Sequence, residues 1–266
     1  MSKIQKFYDD NVHLEWERLG SRHRTEFAVS LRALRQYLPL PPLKVIDIGG
    51  GPGRYTLALA GLGYEVSLVD LSAGNLTFAR KKAKAAGLHL KQSLQANALD
   101  LSDFSNESFD AALMMGPLYH LLLHEERIMA LQEAWRLLKP GGLIFAAFLS
   151  RFGAFRDAAS KGAAWVLENP DTVEKILTTG IDVSDAEGFT DAYFAHPDEV
   201  IPTCESVGFQ TVMRMGCEGM VAGHESYVNS LENESFERWV DLNYRISQDP
   251  GAIGASDHIL YIGRKP

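Results

Sequence analysis

An apolar, β-branched run ending beside an acid, Val45-Ile46-Asp47-Ile48, passes directly into Gly49-Gly50-Gly51-Pro52-Gly53-Arg54, and a helix-like apolar segment starts at Tyr55 and Thr56. A strand, a tight turn and a helix start are thus contiguous. Glycine serves two needs in such a turn: it permits positive φ, and it lets the backbone approach a ligand with no Cβ in the way. Turns of this kind lie at the carboxyl edge of parallel sheets, where α/β proteins bind nucleotide-like ligands. The junction commits the chain to an α/β fold.

The glycine spacing narrows the ligand. The dinucleotide fingerprint G-x-G-x-x-G/A fails in both registers, because its third small residue falls on Arg54 or Thr56. The glycines recur instead at every second position, Gly49, Gly51 and Gly53, with Asp47 just ahead. This D-x-G-x-G-x-G pattern resembles motif I of the class I S-adenosylmethionine-dependent methyltransferases. The resemblance implies that the loop hugs the methionine part of S-adenosyl-L-methionine, with Asp47 suited to its ammonium group. Glu65-Val66-Ser67-Leu68-Val69-Asp70 reads as the next strand. It brings Asp70, with Leu71 beside it, to the spacing of a ribose-binding acid. Ser72 reads as the N-cap of a helix running to about Ala86 and stopped by Gly87.

Further landmarks of that family follow in order. Asn97-Ala98 comes after a third strand candidate, Leu88 to Leu94, where the family usually has an acid and a small residue that read adenine. Asparagine departs from the pattern, but its amide oxygen still accepts from an adenine N–H. Phe109 to Gly116 reads as the fourth strand, with Met115 and Gly116 on the cofactor side. Leu137-Leu138-Lys139-Pro140-Gly141-Gly142 resembles the turn into the fifth. The resemblance is strong over 40–150. It implies a Rossmann-like, doubly wound α/β sheet of seven strands whose last strand, His258 to Gly263, runs antiparallel beside a sixth at Phe209 to Met215.

The 266 residues suit one domain. Residues 1–40 have helical spacing and are expected as a lid, with Tyr8, Trp16 and Arg18 as pocket candidates. Residues 41–150 form the cofactor-binding core. Segments 151–200 and 217–255 are expected as cap insertions, whose aromatics (Phe152, Phe155, Trp165, Phe189, Tyr193, Phe194, Tyr227, Trp239, Tyr244) suggest an enclosed pocket. No stretch has the length of an apolar membrane span, and the first ten residues turn acidic too soon for a signal peptide. Cys204 and Cys217 lack metal-type spacing and are too few for a disulfide framework, so a cytoplasmic protein with reduced thiols and no metal is expected. The formal charge of −8 argues against a nucleic-acid partner, and the cluster Arg80, Lys81, Lys82 and Lys84 reads as a solvated helix face.

Methyl transfer from a sulfonium needs alignment and exclusion of water; a base is needed only when the acceptor is a poor nucleophile. His120, in the loop after the fourth strand, is the candidate base, with Tyr119 as alternative. His196, Tyr193, Glu218 and Tyr227 are candidates for contact with the acceptor, and His224 lies in the same loop. The expected activity is methylation of an oxygen, nitrogen or sulfur of a small organic molecule. A protein or RNA methyltransferase, a nicotinamide-dependent oxidoreductase and a non-catalytic adenosylmethionine binder are the alternatives.

Overall fold

The computed structural model describes residues 2–162, 164–183 and 190–266. Three helices come first: α1 (Lys3–Asp10), α2 (Val12–Arg18) and α3 (Arg24–Tyr37). Strands and helices then alternate as β1 (Lys44–Ile48), α4 (Arg54–Gly61), β2 (Glu65–Asp70), α5 (Ala73–Ala85), β3 (Gln92–Gln95) and β4 (Phe109–Met114). A 3₁₀ turn, Pro117–His120, leads to α6 (His124–Leu137) and the long β5 (Leu138–Ser150). The first insertion holds α7 (Arg151–Lys161), α8 (Trp165–Glu168), α9 (Pro170–Thr179), β6 (Ile181–Asp182) and β7 (Ala192–Ala195). The chain ends with α10 (Pro197–Glu205), β8 (Gln210–Gly216), α11 (Glu225–Asn229), α12 (Asn233–Ile246), α13 (Pro250–Ala255) and β9 (His258–Arg264).

β3-β2-β1-β4-β5 are parallel; β9 runs antiparallel to β5, and β8 antiparallel to β9. These are the seven strands expected, with the last antiparallel beside the sixth. Two more come from the first insertion. Leu149 pairs with His258 of β9 on one edge and with Phe194 of β7 on the other, so β7 takes the edge that β4 vacates at Met114, and β6 pairs with β7. Both additions are short, four and two residues, too short for apolar alternation to show in sequence.

The sheet is covered on both faces, so its strands read as apolar runs. Side chains alternate: Val45 joins a core with Val29, Leu34, Leu59 and Phe145, while Ile46 and Ile48 join Leu131, Leu137, Ile144 and Phe148 on the other face. The Lys139-Pro140-Gly141-Gly142 turn bulges from the ladder, with Leu138 paired to Phe109 and Leu143 already to Ala111. The segment 217–255 departs from its expected role as a cap. Its α12 lies along α3, with Arg32 paired to Asp241 at 2.7 Å and the Tyr244 hydroxyl donating to Gln36 at 2.8 Å. Among the described residues no helix is long and apolar enough to cross a membrane.

Candidate active site

The strand order reverses direction between β1 and β4, and the glycine loop stands at that switch point. Gly49, Gly51 and Gly53 all have positive φ (+65°, +58° and +86°), which explains the alternate spacing. Their surroundings differ. A Cβ on Gly49 would meet Pro117 at 2.9 Å, and one on Gly53 would meet Ala79 at 3.1 Å; on Gly51 the nearest atom is Asn75 Nδ2 at 3.9 Å. Gly49 and Gly53 are therefore required by packing, whereas Gly51 faces open room. Gly116 closes the crevice from the β4 side, where a Cβ would sit 3.0 Å from the Gly49 carbonyl oxygen.

Two acids brace this loop. Asp70 accepts from the Gly51 N–H at 2.8 Å through Oδ2, and from the Ser72 N–H at 2.9 Å and Asn75 Nδ2 at 3.2 Å through Oδ1. Burial raises its pKa despite those donors. Ser72 caps α5 as expected, its Oγ accepting from the Asn75 N–H. Asp47 lies fully buried beneath the loop; Thr56 donates to its Oδ2 at 2.6 Å, and burial pushes its pKa up to about 6. Its Oδ1 and the Oδ1 of Asn75 are buried with no hydrogen-bond partner. Buried polar atoms are normally satisfied, so unmet acceptors below an open glycine fit a polar ligand carrying N–H and O–H donors, as adenosylmethionine does. Asp47 acts from under the backbone, a more indirect position than the sequence suggested. Leu71 is half-buried, its carbonyl accepting from Gln95; Met115 is buried. Asn97 is exposed, its Oδ1 accepting from the Leu99 N–H, so in this conformation the side chain serves its own turn, with Ala98 half-buried next to it.

The first helix spans the crevice. Asp9 Oδ1 accepts from Ser72 Oγ at 2.5 Å and from the Gly74 N–H at 3.0 Å, tying α1 to the start of α5. One residue earlier, the Tyr8 hydroxyl lies 2.6 Å from His120 Nε2, and Thr190 Oγ1 lies 3.0 Å from His120 Nδ1. Burial lowers the His120 pKa to about 4 and raises that of Tyr8 well above the usual phenol range. Phenol and imidazole are therefore both neutral, and they share one hydrogen bond at Nε2. Tyr119 packs edge-on against His120, 4.7 Å between centroids, and burial raises its pKa too, so it keeps its proton. Trp16 lies outside this group, between the Arg54 guanidinium at 3.8 Å and Phe78, as a packing residue.

Sequence reasoning named Arg18 and Glu218 but missed Glu26 and His258, with which they form a second polar group at the same edge. Arg18 bridges Glu15 and Glu26, both at 3.2 Å, and His258 lies between Glu26 (3.6 Å) and Glu218 (2.6 Å). Burial opposes the charge on His258, but the two carboxylates prevail and push its pKa up to about 9. Burial also works against Glu26, which His258 and Arg18 nevertheless hold below its usual range; Glu218 is raised by burial despite the imidazolium beside it. One signal was available: Glu26 falls at core-facing spacing with Val29, Ser30 and Ala33 on α3.

The four acceptor-contact candidates do not converge. Glu218 is buried in the group just described. Tyr193 donates to Glu199 at 2.7 Å beneath the Arg127 guanidinium. His196 caps α10, accepting from the Asp198 N–H at 3.3 Å while Glu199 accepts from the His196 N–H. Tyr227 is 75% exposed on α11. Of the insertion aromatics, Phe152 and Trp239 are exposed, and Phe189 lies outside the described residues.

Comparison with known proteins agrees with this architecture. A family described as "Methyltransferase domain" matches residues 46–146. A ubiquinone biosynthesis O-methyltransferase of Cereibacter sphaeroides is 33% identical over 213 residues, covering 80% of this chain and 76% of that protein. A tRNA 5-carboxymethoxyuridine methyltransferase of Escherichia coli O157:H7 is 26% identical over 229 residues, covering 84% and 80%. Among solved structures, a methyltransferase from Methanosarcina mazei superposes with a TM-score of 0.61 at 20% identity, covering 88% of this chain and 96% of that one, a likeness of fold. The chain belongs to the class I S-adenosylmethionine-dependent methyltransferases, and S-adenosylmethionine is its methyl donor.

Proposed function

We propose that the protein methylates a small organic acceptor, with a hydroxyl as the favoured nucleophile among oxygen, nitrogen and sulfur. The carrying observation is the Tyr8–His120–Thr190 chain under α1. The imidazole at the switch point is neutral, so it keeps a lone pair, and a hydroxyl already occupies hydrogen-bond distance of its Nε2. An acceptor O–H that displaces the Tyr8 hydroxyl meets the same nitrogen. The bound cofactor supplies an electrophilic methyl on a sulfonium with a neutral leaving group. His120 takes the acceptor's proton at Nε2, its ring oriented through Nδ1 by Thr190. Gly51 and Asp70 form the cofactor side of the crevice with Gly49, Gly53, Leu71, Met115 and Gly116; Asn97 and Ala98 stand at the adenine end, and Asp47 supports the loop from below. α1 shuts the crevice from water.

The O-methyltransferase relative supports an oxygen acceptor. The tRNA-modifying relative brings RNA into consideration. A formal charge of −8 and a helix closed across the crevice favour the small molecule. Transfer of labelled methyl to a panel of phenols, carboxylic acids, amines and thiols, run beside total RNA and protein, tests the proposal. Label in small hydroxylated compounds is expected; label confined to RNA or protein overturns it.

A further inference from the structure

A histidine, a glutamate and a second histidine, distant in sequence, meet outside the Tyr8–His120 chain. His23 is the N-cap residue of α3, Glu26 lies in the first turn of that helix, and His258 opens β9. Nδ1 of His23, a carboxylate oxygen of Glu26 and a ring nitrogen of His258 all lie within 4.8 Å of one another. His23 Nδ1 is 3.9 Å and His258 Nε2 is 3.6 Å from Glu26 Oε2, and the imidazoles meet edge-on at 5.6 Å between centroids. We propose that these three side chains form a binding site for a divalent transition-metal ion of the zinc class.

One observation points to a cation beyond the clustering itself. His23 Nδ1 is buried with no hydrogen-bond partner, a lone pair or N–H that the fold leaves unmet. The support behind His258 matches what metal-binding imidazoles need. Its Nδ1 is 2.6 Å from Glu218 Oε1, while Glu218 Oε2 accepts from the backbone N–H groups of Asp257 (3.1 Å) and His258 (2.9 Å). That carboxylate fixes the ring and keeps a proton on Nδ1, leaving Nε2 for the cluster.

Two imidazoles and one carboxylate select zinc or its neighbours over magnesium and calcium, which take all-oxygen shells. Imidazole and carboxylate bonds to zinc are about 2.0–2.2 Å, so the three ligands close in by a few tenths of an ångström around the ion. As the ion enters, the proton on His258 Nε2 leaves to solvent. Arg18, 3.2 Å from both Glu26 Oε2 and Glu15 Oε2, yields the former oxygen and keeps the latter. The expectation of no metal rested on cysteine spacing; these ligands come together only through the packing of α3 on β9. Three protein ligands leave a further position open, and the ion ties the α2–α3 junction, beside Arg18, to the carboxyl edge of the sheet.

The test is zinc calorimetry and metal analysis on the full chain stripped with chelator, with visible absorption of the cobalt(II) form. One zinc per chain at micromolar affinity or tighter is expected, with cobalt bands typical of low coordination number. His23→Ala, at a partly exposed helix start where folding is not at risk, should weaken zinc binding about 100-fold, and Glu218→Gln by about 10- to 100-fold. His89→Ala, at an exposed site, should leave it unchanged. Absence of binding at micromolar zinc overturns the site, as does equal affinity in His23→Ala or equal displacement by magnesium. Methyl transfer to the acceptor panel is read separately and bears on the other proposal alone.

Discussion

The two sides of the crevice are built by different means. On the β1–β2 side, the polar groups come from short contiguous stretches: a glycine loop, the end of the next strand and the first turn of α5. Much of the surface there is backbone, and its acids hold the loop in shape. On the other side, Tyr8, Arg18, Glu26, His120, Thr190, Glu218 and His258 come from both ends and the middle of the chain, and they are engaged mainly with one another. A backbone site tolerates little change in residue type, because φ and close approach dictate it. A site of side chains held by other side chains can be re-aimed by single substitutions, which suits a fold that keeps one donor and changes acceptors.

The largest expected effect breaks the first side. Gly51→Val places a β-branched residue at φ +58° and fills the one open face of the loop. Strain on the order of 1–2 kcal/mol leaves the chain folded by circular dichroism, while calorimetry should detect no binding of adenosylmethionine or adenosylhomocysteine. Normal affinity would remove the loop from the site and with it the contrast between the two sides.

His120→Ala probes the other side. Turnover should fall by about 10²–10⁴-fold, the usual worth of a positioned base, while cofactor affinity measured by calorimetry stays put. Full activity across the pH range would leave His120 as a support for its loop. The same residue has a stability signature. Its pKa is about 4 in the fold against about 6.5 unfolded, so between those values the unfolded chain binds more protons. Stability from this group is therefore complete above pH 6.5 and is lost as the pH falls, by on the order of 3 kcal/mol at pH 4. Denaturant titrations of His120→Asn should lack that component; an unchanged pH dependence would mean the imidazole is not held neutral.

This contrast also explains what could be read from sequence. The loop, the strand that carries Asp70 and the Ser72 cap were legible because local backbone rules set them over a few residues, whereas the seven-stranded sheet with its antiparallel last strand was implied by the family resemblance. Tyr8 and His120 could be named singly, yet nothing in their separation predicts a 2.6 Å contact. Glu26 and His258 look like ordinary surface residues until α3 and β9 pack together. β7 was invisible because four residues, Ala192–Ala195, carry too little pattern; it is a strand because β5 outruns β4 and offers a free edge.

Asp70→Ala gives a smaller effect on the backbone side. Losing hydrogen bonds to a charged group costs about 1.5–3 kcal/mol, roughly 10- to 100-fold in cofactor affinity by calorimetry. Part of that loss is indirect, since Asp70 also holds the Gly51 N–H and the start of α5. Asp70→Asn keeps an acceptor for those donors and should recover part of the affinity; equal loss in both variants would assign the effect to charge.

The smallest effect locates the boundary of the second side. His196 fits the sequence pattern of an acceptor contact, yet its Nδ1 accepts from the Asp198 N–H and its own N–H is met by Glu199. It terminates a helix, in the manner of a serine or aspartate cap. His196→Ala should therefore lower stability by about 1 kcal/mol in urea titrations and leave turnover per folded molecule unchanged, whereas His196→Asp should restore stability. A fall in turnover at full stability would extend the acceptor surface across β7, and the insertion would then contribute chemistry as well as an edge strand.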